Sequence, residues 1–430
     1  MLEIKDKTLC CGCSACVQKC PKQCISLVED NEGFSYPKVD KQECIDCRLC
    51  DRVCPLQYEV KAVEPIKILA AYNKNATKRT ECSSGGIFTL LAEKTILDGG
   101  VVFGARFNER WEVILDYTET MDGIKAFQGS KYVQASVEHA YKQCENFLKR
   151  NRQVLFSGTP CQIAGLNSFL GKNYDNLLTV DVVCHGVPSP MIWRMYLQKQ
   201  ISSFITAKKA VLKKGFVSLS QNCMFCIENI KFRDKFYGWK RYHFILDFTE
   251  VTSDSEQRFV SSINEPHDEN LFMKAFLQDL ILRPSCYNCK FRGKNKRQSD
   301  ISIADYWGVQ YVMPEMDDDR GTSLVLLNTQ KGKLNYPYSL TLYKETDFSV
   351  APIYNAGFRE NIPVNPRRDS FFLAINRGHD LIKSLRIYVL PECQYVNIIT
   401  PKYKKIIRKA KRIIYKMKHF CFVFYNSLIR

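Results

Sequence analysis

Apolar positions divide this chain into elements before any chemistry is considered. An apolar run from about Ile87 to Leu97 predicts a helix, stopped by Gly99-Gly100 and followed by a strand. Val154–Phe156 predicts a buried strand, and the small-residue turn after it leads into a helix within "SGTPCQIAGL". "LLTVDVVCHGVPSP" repeats the design: a strand, a turn at Cys184-His185-Gly186, then a helix from about Met191. A further helical segment is predicted around 137–149. Strand–turn–helix units in series predict an α/β core whose strand ends carry the chemistry. "ISLVED" and "FSYPKVD" flank "NEG", which reads as a short hairpin. "SDISIADYWG" reads as a strand ending in an aromatic turn, and "FRDKFYGWKRYHF" as a strand or hairpin alternating cations with aromatics on a cleft surface. In 401–430, Tyr403, Ile406, Ala410, Ile413, Met417, Phe420 and Phe424 recur at helical spacing among basic residues, which predicts a basic amphipathic helix.

Charge sharpens the reading of that tail. The chain carries a formal +17, and residues 401–430 hold ten Lys or Arg with no Asp or Glu. A nucleic-acid arm gains nothing from an apolar stripe, so the tail is expected on an anionic membrane face, with an acidic partner helix as the rival. No run approaches the ~20 apolar residues of a spanning helix. The opening "MLEIKDKTLC" lacks the apolar core of an export signal, so a cytoplasmic, reducing location is expected, peripheral to the membrane if the tail binds it.

Cysteine decides the chemistry. Of 20 cysteines, ten fall between residues 10 and 54. Cys10, Cys13, Cys16 and Cys20-Pro21 form C-x2-C-x2-C-x3-C-P, and Cys44, Cys47, Cys50 and Cys54-Pro55 repeat it to the residue. This is the bacterial two-cluster ferredoxin run, in which the fourth Cys of each run ligates the other cluster. It predicts one [4Fe-4S] cluster on Cys10, Cys13, Cys16 and Cys54, and a second on Cys44, Cys47, Cys50 and Cys20. Paired zinc sites, the alternative, use C-x2-C pairs across longer gaps. Cys11 and Cys24 are off the beat and read as packing residues. Clusters pass single electrons and most organic substrates take two, so a flavin is expected in the remainder.

"SSGGIFTLLA", "GSKYVQ", "SGTPCQIAGL", "VDVVCHGVPSP", "RPSCYNCKF" and "SDISIADYWG" occur in this order, and through them residues 1–330 resemble the coenzyme F420 hydrogenase/dehydrogenase beta-subunit family. The fused ferredoxin segment and "FRDKFYGW" resemble most its bacterial members linked to polysaccharide biosynthesis. The resemblance implies an FAD surrounded by Ser83, Ser84, Gly85, Gly86, Ser130, Lys131, Gly158, Thr159, Pro160 and Gln162. The residues themselves support part of this: Ser/Gly turns at a helix start suit a pyrophosphate, and Lys131 can offset its charge. The resemblance also implies a third [4Fe-4S] cluster on Cys161, Cys184, Cys286 and Cys289; the alternative is that Cys161 and Cys184 are small buried residues. Cys223 and Cys226 form a further C-x2-C outside that pattern.

On the acceptor side, His185 is a candidate proton donor or a hydrogen-bonded turn residue. Lys235, with Arg233 and Trp239, is a candidate for holding an anionic or sugar-like substrate, a solvated basic strand being the alternative; Asp305 is a candidate for orienting flavin or substrate, or for capping a turn. The expected fold is an α/β flavoprotein core with an N-terminal α+β ferredoxin-like domain and a C-terminal basic amphipathic helix. The boundaries are 1–60 (two clusters), 66–150 and 151–330 (flavin, third cluster and substrate site), 331–400 (variable) and 401–430 (tail). The expected function is an iron–sulfur flavoprotein oxidoreductase, with an electron-transfer subunit that has no substrate of its own as the alternative. Expected partners are a ferredoxin-like protein or a reduced deazaflavin or nicotinamide, and a lipid-linked sugar; nucleic acid is not among them.

Overall fold

A computed structural model describes residues 3–60, 63–213, 224–252, 255–349, 351–358 and 362–389. The N-terminal segment pairs β1 (Ile25–Glu29) with β2 (Ser35–Val39) antiparallel, in the register Ile25↔Val39 to Glu29↔Ser35. Asp30 closes this hairpin, its Oδ1 accepting the N–H groups of Glu32 and Phe34 at 3.0 Å each. Short helices at Ala15–Lys19 and Leu49–Arg52 follow the two cysteine loops.

The loops are wound alike. Gly12 and Ser14 in the first run, and Asp46 and Arg48 in the second, take positive φ at the same two places relative to their cysteines. Such alternation turns successive N–H groups into one concavity, which suits anionic sulfur. Three of the four are not glycine, so each loop holds a conformation that L-residues enter at a cost.

The core is an eight-stranded mixed sheet, comprising β3 (Lys67–Asn73), β4 (Val101–Phe107), β5 (Val113–Thr118), β6 (Val154–Gly158), β7 (Leu177–Val182), β11 (Ile301–Asp305), β12 (Ser323–Leu327) and β13 (Thr341–Glu345). Its order is β13-β3-β12-β11-β7-β6-β4-β5, with β11, β7, β6 and β4 parallel and every other pairing antiparallel. Alternate strand residues feed two cores. Phe103 and Phe156 face the helices Ala140–Lys149 and Pro160–Leu170. Val102, Leu155 and Val180 face the helix Ile87–Leu97 on the other side. The sheet draws strands from 66–150, 151–330 and 331–400 alike, since β4 pairs with β6, and β13 with β3.

A separate three-stranded antiparallel sheet, β8 (Met224–Asp234), β9 (His243–Thr252) and β10 (Ser255–Pro266), packs with the helices Pro190–Lys213, Leu271–Leu277, Arg368–Asn376 and Leu381–Tyr388 around Trp193, Phe232 and Phe272. Phe34 and Tyr36 of the N-terminal hairpin enter the same core, so the hairpin is built into the molecule rather than tethered to it.

Polar contacts make the same join. Gln18 Oε1 accepts the N–H groups of Tyr141 (3.1 Å) and Lys142 (3.2 Å), capping the helix Ala140–Lys149 from another segment. Arg368 grips Glu32 through both nitrogens, at 2.9 and 2.5 Å. At Gly165 an added Cβ would stand 3.1 Å from Cys13 Sγ and 2.8 Å from Tyr141 Oη, so glycine lets the helix Pro160–Leu170 lie against the first cysteine loop. Among the described residues no helix is long and apolar enough to cross a membrane. The tail 401–430 and Cys223 lie outside the described residues, as does the side chain of Cys226.

Candidate electron-transfer site

Among the described residues no three His, Cys, Asp or Glu side chains close on a point that would hold a single metal ion. The thiols instead ring three voids, the arrangement expected for a cage larger than one ion. Cys10, Cys13, Cys16 and Cys54 line a void of ≈ 430 Å³, counting its mouth. Cys20, Cys44, Cys47 and Cys50 line another of ≈ 370 Å³. These are the crossed sets that the spacing predicts. Cys20 and Cys54 reach across with nearly the same backbone, φ −65°, ψ 117° and φ −73°, ψ 115°, each before a proline.

The third void, ≈ 900 Å³ with its mouth, is lined by Cys161, Cys184, Cys286 and Cys289. Cys161 follows the end of β6 and Cys184 the end of β7, so the parallel strands deliver two thiols to one edge of the sheet. The chain returns with Cys286 at the end of the turn Pro284–Cys286 and Cys289 just beyond it. Burial, and then neighbouring Cys161, push the Cys184 thiol up to about 12. Burial followed by Cys184 and Cys289 push Cys286 up as well. Thiols this crowded ionise only with cationic compensation, and Arg292 and Arg297 stand in the same lining.

Two residues that read as packing stand at these voids. Cys11 lines both the first and third voids, and Cys24 lines the second, with Sγ 3.5 Å from Cys20 Sγ. The sequence signal for each is weak: adjacency to the beat, without its spacing.

The residues implied around a flavin divide into two groups. Ser83 Oγ accepts from Ser130 N at 2.7 Å and Ser130 Oγ at 3.0 Å. Ser84 Oγ donates to the Thr322 carbonyl and Gly85 N to Ser323 Oγ, which ties this turn to the start of β12. Gly86, at φ 80°, precedes the helix Ile87–Leu97 and no side chain caps that helix. Lys131 Nζ donates to the carbonyls of Gln128 and Gly129, and burial lowers its pKa to about 7. Thr159, Pro160 and Gln162 instead line the third void. There Gln162 Oε1 accepts the Thr159 N–H at 2.9 Å, so the side chains of this turn are occupied with one another.

Lys235 and Asp305 share one neighbourhood, and it is largely internal. Lys235 Nζ donates to the carbonyls of Arg79, Ser84 and Arg320, and burial lowers it to about 8. Asp305 accepts from Arg233 and, at 3.1 Å, from Trp239 Nε1. Trp239 is fully buried and stacks on Trp307 with centroids 4.5 Å apart. Arg233 and Trp239 thus spend their charge and surface inside the protein, while Phe236 and Tyr237 at the tip of the turn are exposed. His185 rides between the lining residues Cys184 and Gly186; its Nε2 is 2.8 Å from Asp279 Oδ1 and its ring meets Phe276 edge-on.

Residues 9–58 match the family model described as 4Fe-4S dicluster domain, and residues 151–336 that of the C terminus of the Coenzyme F420 hydrogenase/dehydrogenase beta subunit. Residues 151–336 thus carry the C-terminal domain of the coenzyme F420 hydrogenase/dehydrogenase beta-subunit family, joined to an N-terminal 4Fe-4S dicluster domain. The N-terminal part is also similar to smaller proteins. An uncharacterized ferredoxin of Methanocaldococcus jannaschii is 34% identical over 65 residues, 15% of this chain and 83% of the relative. A ferredoxin of Mycolicibacterium smegmatis is 34% identical over 56 residues, 13% of this chain and 42% of the relative. The large A-type chain of the H(2):CoB-CoM heterodisulfide,ferredoxin reductase of Methanothermobacter marburgensis is 34% identical over 62 residues, 11% of this chain; the match spans 9% of that much longer relative. Among solved structures, a chain of the F420-reducing [NiFe] hydrogenase complex from Methanosarcina barkeri aligns with TM-score 0.39 and 15% identity, over 76% of this chain and 91% of that one. Through its dicluster domain the chain is an iron–sulfur electron-transfer protein carrying 4Fe-4S clusters.

Proposed function

We propose that the chain is an iron–sulfur flavoprotein oxidoreductase that moves electrons between its N-terminal clusters, a third [4Fe-4S] cluster, an FAD and an organic substrate or cofactor. The observation that carries this is the continuity of the thiol-lined voids. Cys16 of the inner set and Cys50 of the outer set lie on the helices Ala15–Lys19 and Leu49–Arg52, which pack against each other. Leu9, Cys11, Gly12 and Leu56 wall both the inner void and the core void. An electron entering at the exposed outer loop thus has a sequence of three stations leading to the strand ends.

Residues near the Ser83–Ser130 contact fit the phosphates of a dinucleotide. The helix start after Gly86 has uncapped N–H groups, and the described residues give Lys131 no carboxylate. A bound flavin would supply the exchange between one-electron and two-electron chemistry. At that site Lys131 would offset phosphate charge, while beside the third void Asp279 holds the His185 ring ready to give or take a proton. A lipid-linked sugar in cell-surface polysaccharide assembly is the substrate class we favour, on the basic amphipathic pattern of the tail 401–430. The donor would be a ferredoxin-like protein or a reduced deazaflavin or nicotinamide.

Anaerobic purification with counts of iron, sulfide and flavin is the test. About twelve irons and one FAD are expected, against about eight irons if the clusters stop at the dicluster segment. A preparation with eight irons and no flavin would sink the proposal. Turnover by the purified chain alone separates an enzyme from a subunit that needs a partner's active site.

Flavin affinity should depend on pH with a defined sign. Lys131 in the open site titrates near 7. A bound diphosphate raises that value, so binding above pH ~7 takes up a proton. FAD affinity is then expected to fall as pH rises from about 7 to 9, by at most about tenfold per pH unit. Fluorescence titration of flavin-stripped protein measures this, and Lys131→Ala should flatten the profile.

A further inference from the structure

Arg283 is fully buried, and the described residues give it no carboxylate partner. Its fork bridges the N-terminal segment and the core. Nε donates to the Cys10 carbonyl at 2.8 Å, Nη1 to Gln134 Oε1 at 3.0 Å and Nη2 to the Ser35 carbonyl at 3.0 Å. Nη2 also stands 3.6 Å from Cys10 Sγ. The rings of Tyr36 and Phe34 cover the guanidinium, with centroids 4.3 and 5.5 Å from its central carbon. Gly12 completes the fit, since a Cβ there would lie 2.9 Å from Arg283 Nη1.

A buried cation whose bonds to oxygen all end on neutral groups needs an anion nearby. The available anion is the inner thiolate set, to which Cys10 belongs. Three residues further along the chain, Cys286 belongs to the core set, so the charge sits at the junction between the two. The outer set has a different environment. Its corresponding arginine contact is Arg52 Nη2 to the Cys47 carbonyl at 3.2 Å, from an exposed side chain where water screens the charge. Hydrogen bonds to cluster sulfur and an unscreened positive charge both raise a cluster's potential and favour reduction at the inner position, against the opposing cost of burying the added electron.

We infer that Arg283 is a redox-positioning residue that makes the inner cluster the easier of the two N-terminal clusters to reduce, and so biases electrons inward from the outer loop. This rests on the electron path proposed above only for its direction. In the step concerned, the outer cluster is oxidised by one electron and the inner cluster reduced by one, after a low-potential one-electron donor has charged the outer cluster. No bond changes and no proton moves, because the guanidinium stays protonated throughout.

The experiment is a dithionite redox titration of the anaerobic holoprotein followed by electron paramagnetic resonance. Cys54→Ser and Cys20→Ser assign the inner and outer signals. In Arg283→Gln the inner cluster's reduction equilibrium is expected to fall tenfold or more, equivalent to 59 mV for one electron, with the outer cluster unchanged. Arg283→Lys, which keeps the charge and loses the fork, should fall between. Equal shifts in both clusters, or none in the inner one, would overturn the assignment and leave the path standing; a protein without clusters would overturn both. If Arg283→Gln does not retain iron, wild-type protein made with 15N-arginine decides the matter. Spin-echo modulation must then show guanidinium nitrogen coupled to the inner cluster, and no coupling means that Arg283 does not act on it.

Discussion

Cys54→Ser is expected to remove the cluster held by Cys10, Cys13 and Cys16, and to leave that of Cys44, Cys47 and Cys50 in place. The paradox in sequence terms is that Cys54 closes the second run, yet its loss should empty the first. The two voids give the reason, since Cys54 lines the void of the first run and Cys20 that of the second. A proline follows each of these cysteines and holds it extended, aimed at the other loop. Serine offers a harder, poorer ligand in the same place. The variant should lose about four irons, and the reciprocal Cys20→Ser should lose about four from the other centre. Because the inner void adjoins both neighbours, Cys54→Ser should also break the path to the core, so that reduction of the core by an external donor is nearly abolished. Iron counts with the resonance signal of the surviving centre measure this. A Cys54→Ser protein that keeps the inner signal and loses the outer one would refute crossed ligation.

Asp181→Ala is expected to cost about 3–5 kcal/mol of stability, a large loss for a substitution that leaves every thiol intact. Asp181 is fully buried in β7 and paired with Arg297 at 3.3 Å, whose side chain is equally withdrawn. Its other oxygen accepts from Ser299 at 2.6 Å and Ser302 at 2.7 Å. Truncation strands a guanidinium and two hydroxyls without water, and an uncompensated buried charge is the costly part. Arg297 also lines the core void, so the damage falls on the wall of the third thiol set. Replacing both partners by apolar residues, Asp181→Leu with Arg297→Met, should recover most of the loss, because the penalty belongs to the unpaired charge. Guanidinium unfolding followed by far-ultraviolet circular dichroism checks both. A loss under about 1 kcal/mol for Asp181→Ala would mean that the pair is not carrying the buried charge.

Local pattern carried much of this far. The helix predicted from about Ile87 to Leu97 has those bounds, because its apolar run ends at a glycine pair that cannot extend it. The hairpin between the cysteine runs and the strand at Val154 were legible for the same reason: contacts within a few residues decide them. The site at the strand ends was less legible. The turn Gly158–Gln162 resembles a phosphate loop in residue type, yet it stands with the thiols of the third void while Ser83 meets Ser130 elsewhere. Arg233 and Trp239 looked like surface ligands from their alternation, whereas Asp305, 72 residues beyond Arg233, holds both within the protein.

The sequence by itself determined the two N-terminal clusters, since a three-residue spacing and a proline act within one loop and leave thiolates few places to go. Only the tertiary structure decided what stands beside them. The sheet brings Cys161, Cys184, Cys286 and Cys289 around one void, and sets Cys11 between that void and the inner one. It also carries Arg283 across 273 residues to Cys10. Such meetings depend on which strands pair and which faces pack, and those are summed over the whole chain rather than written in any one stretch of it.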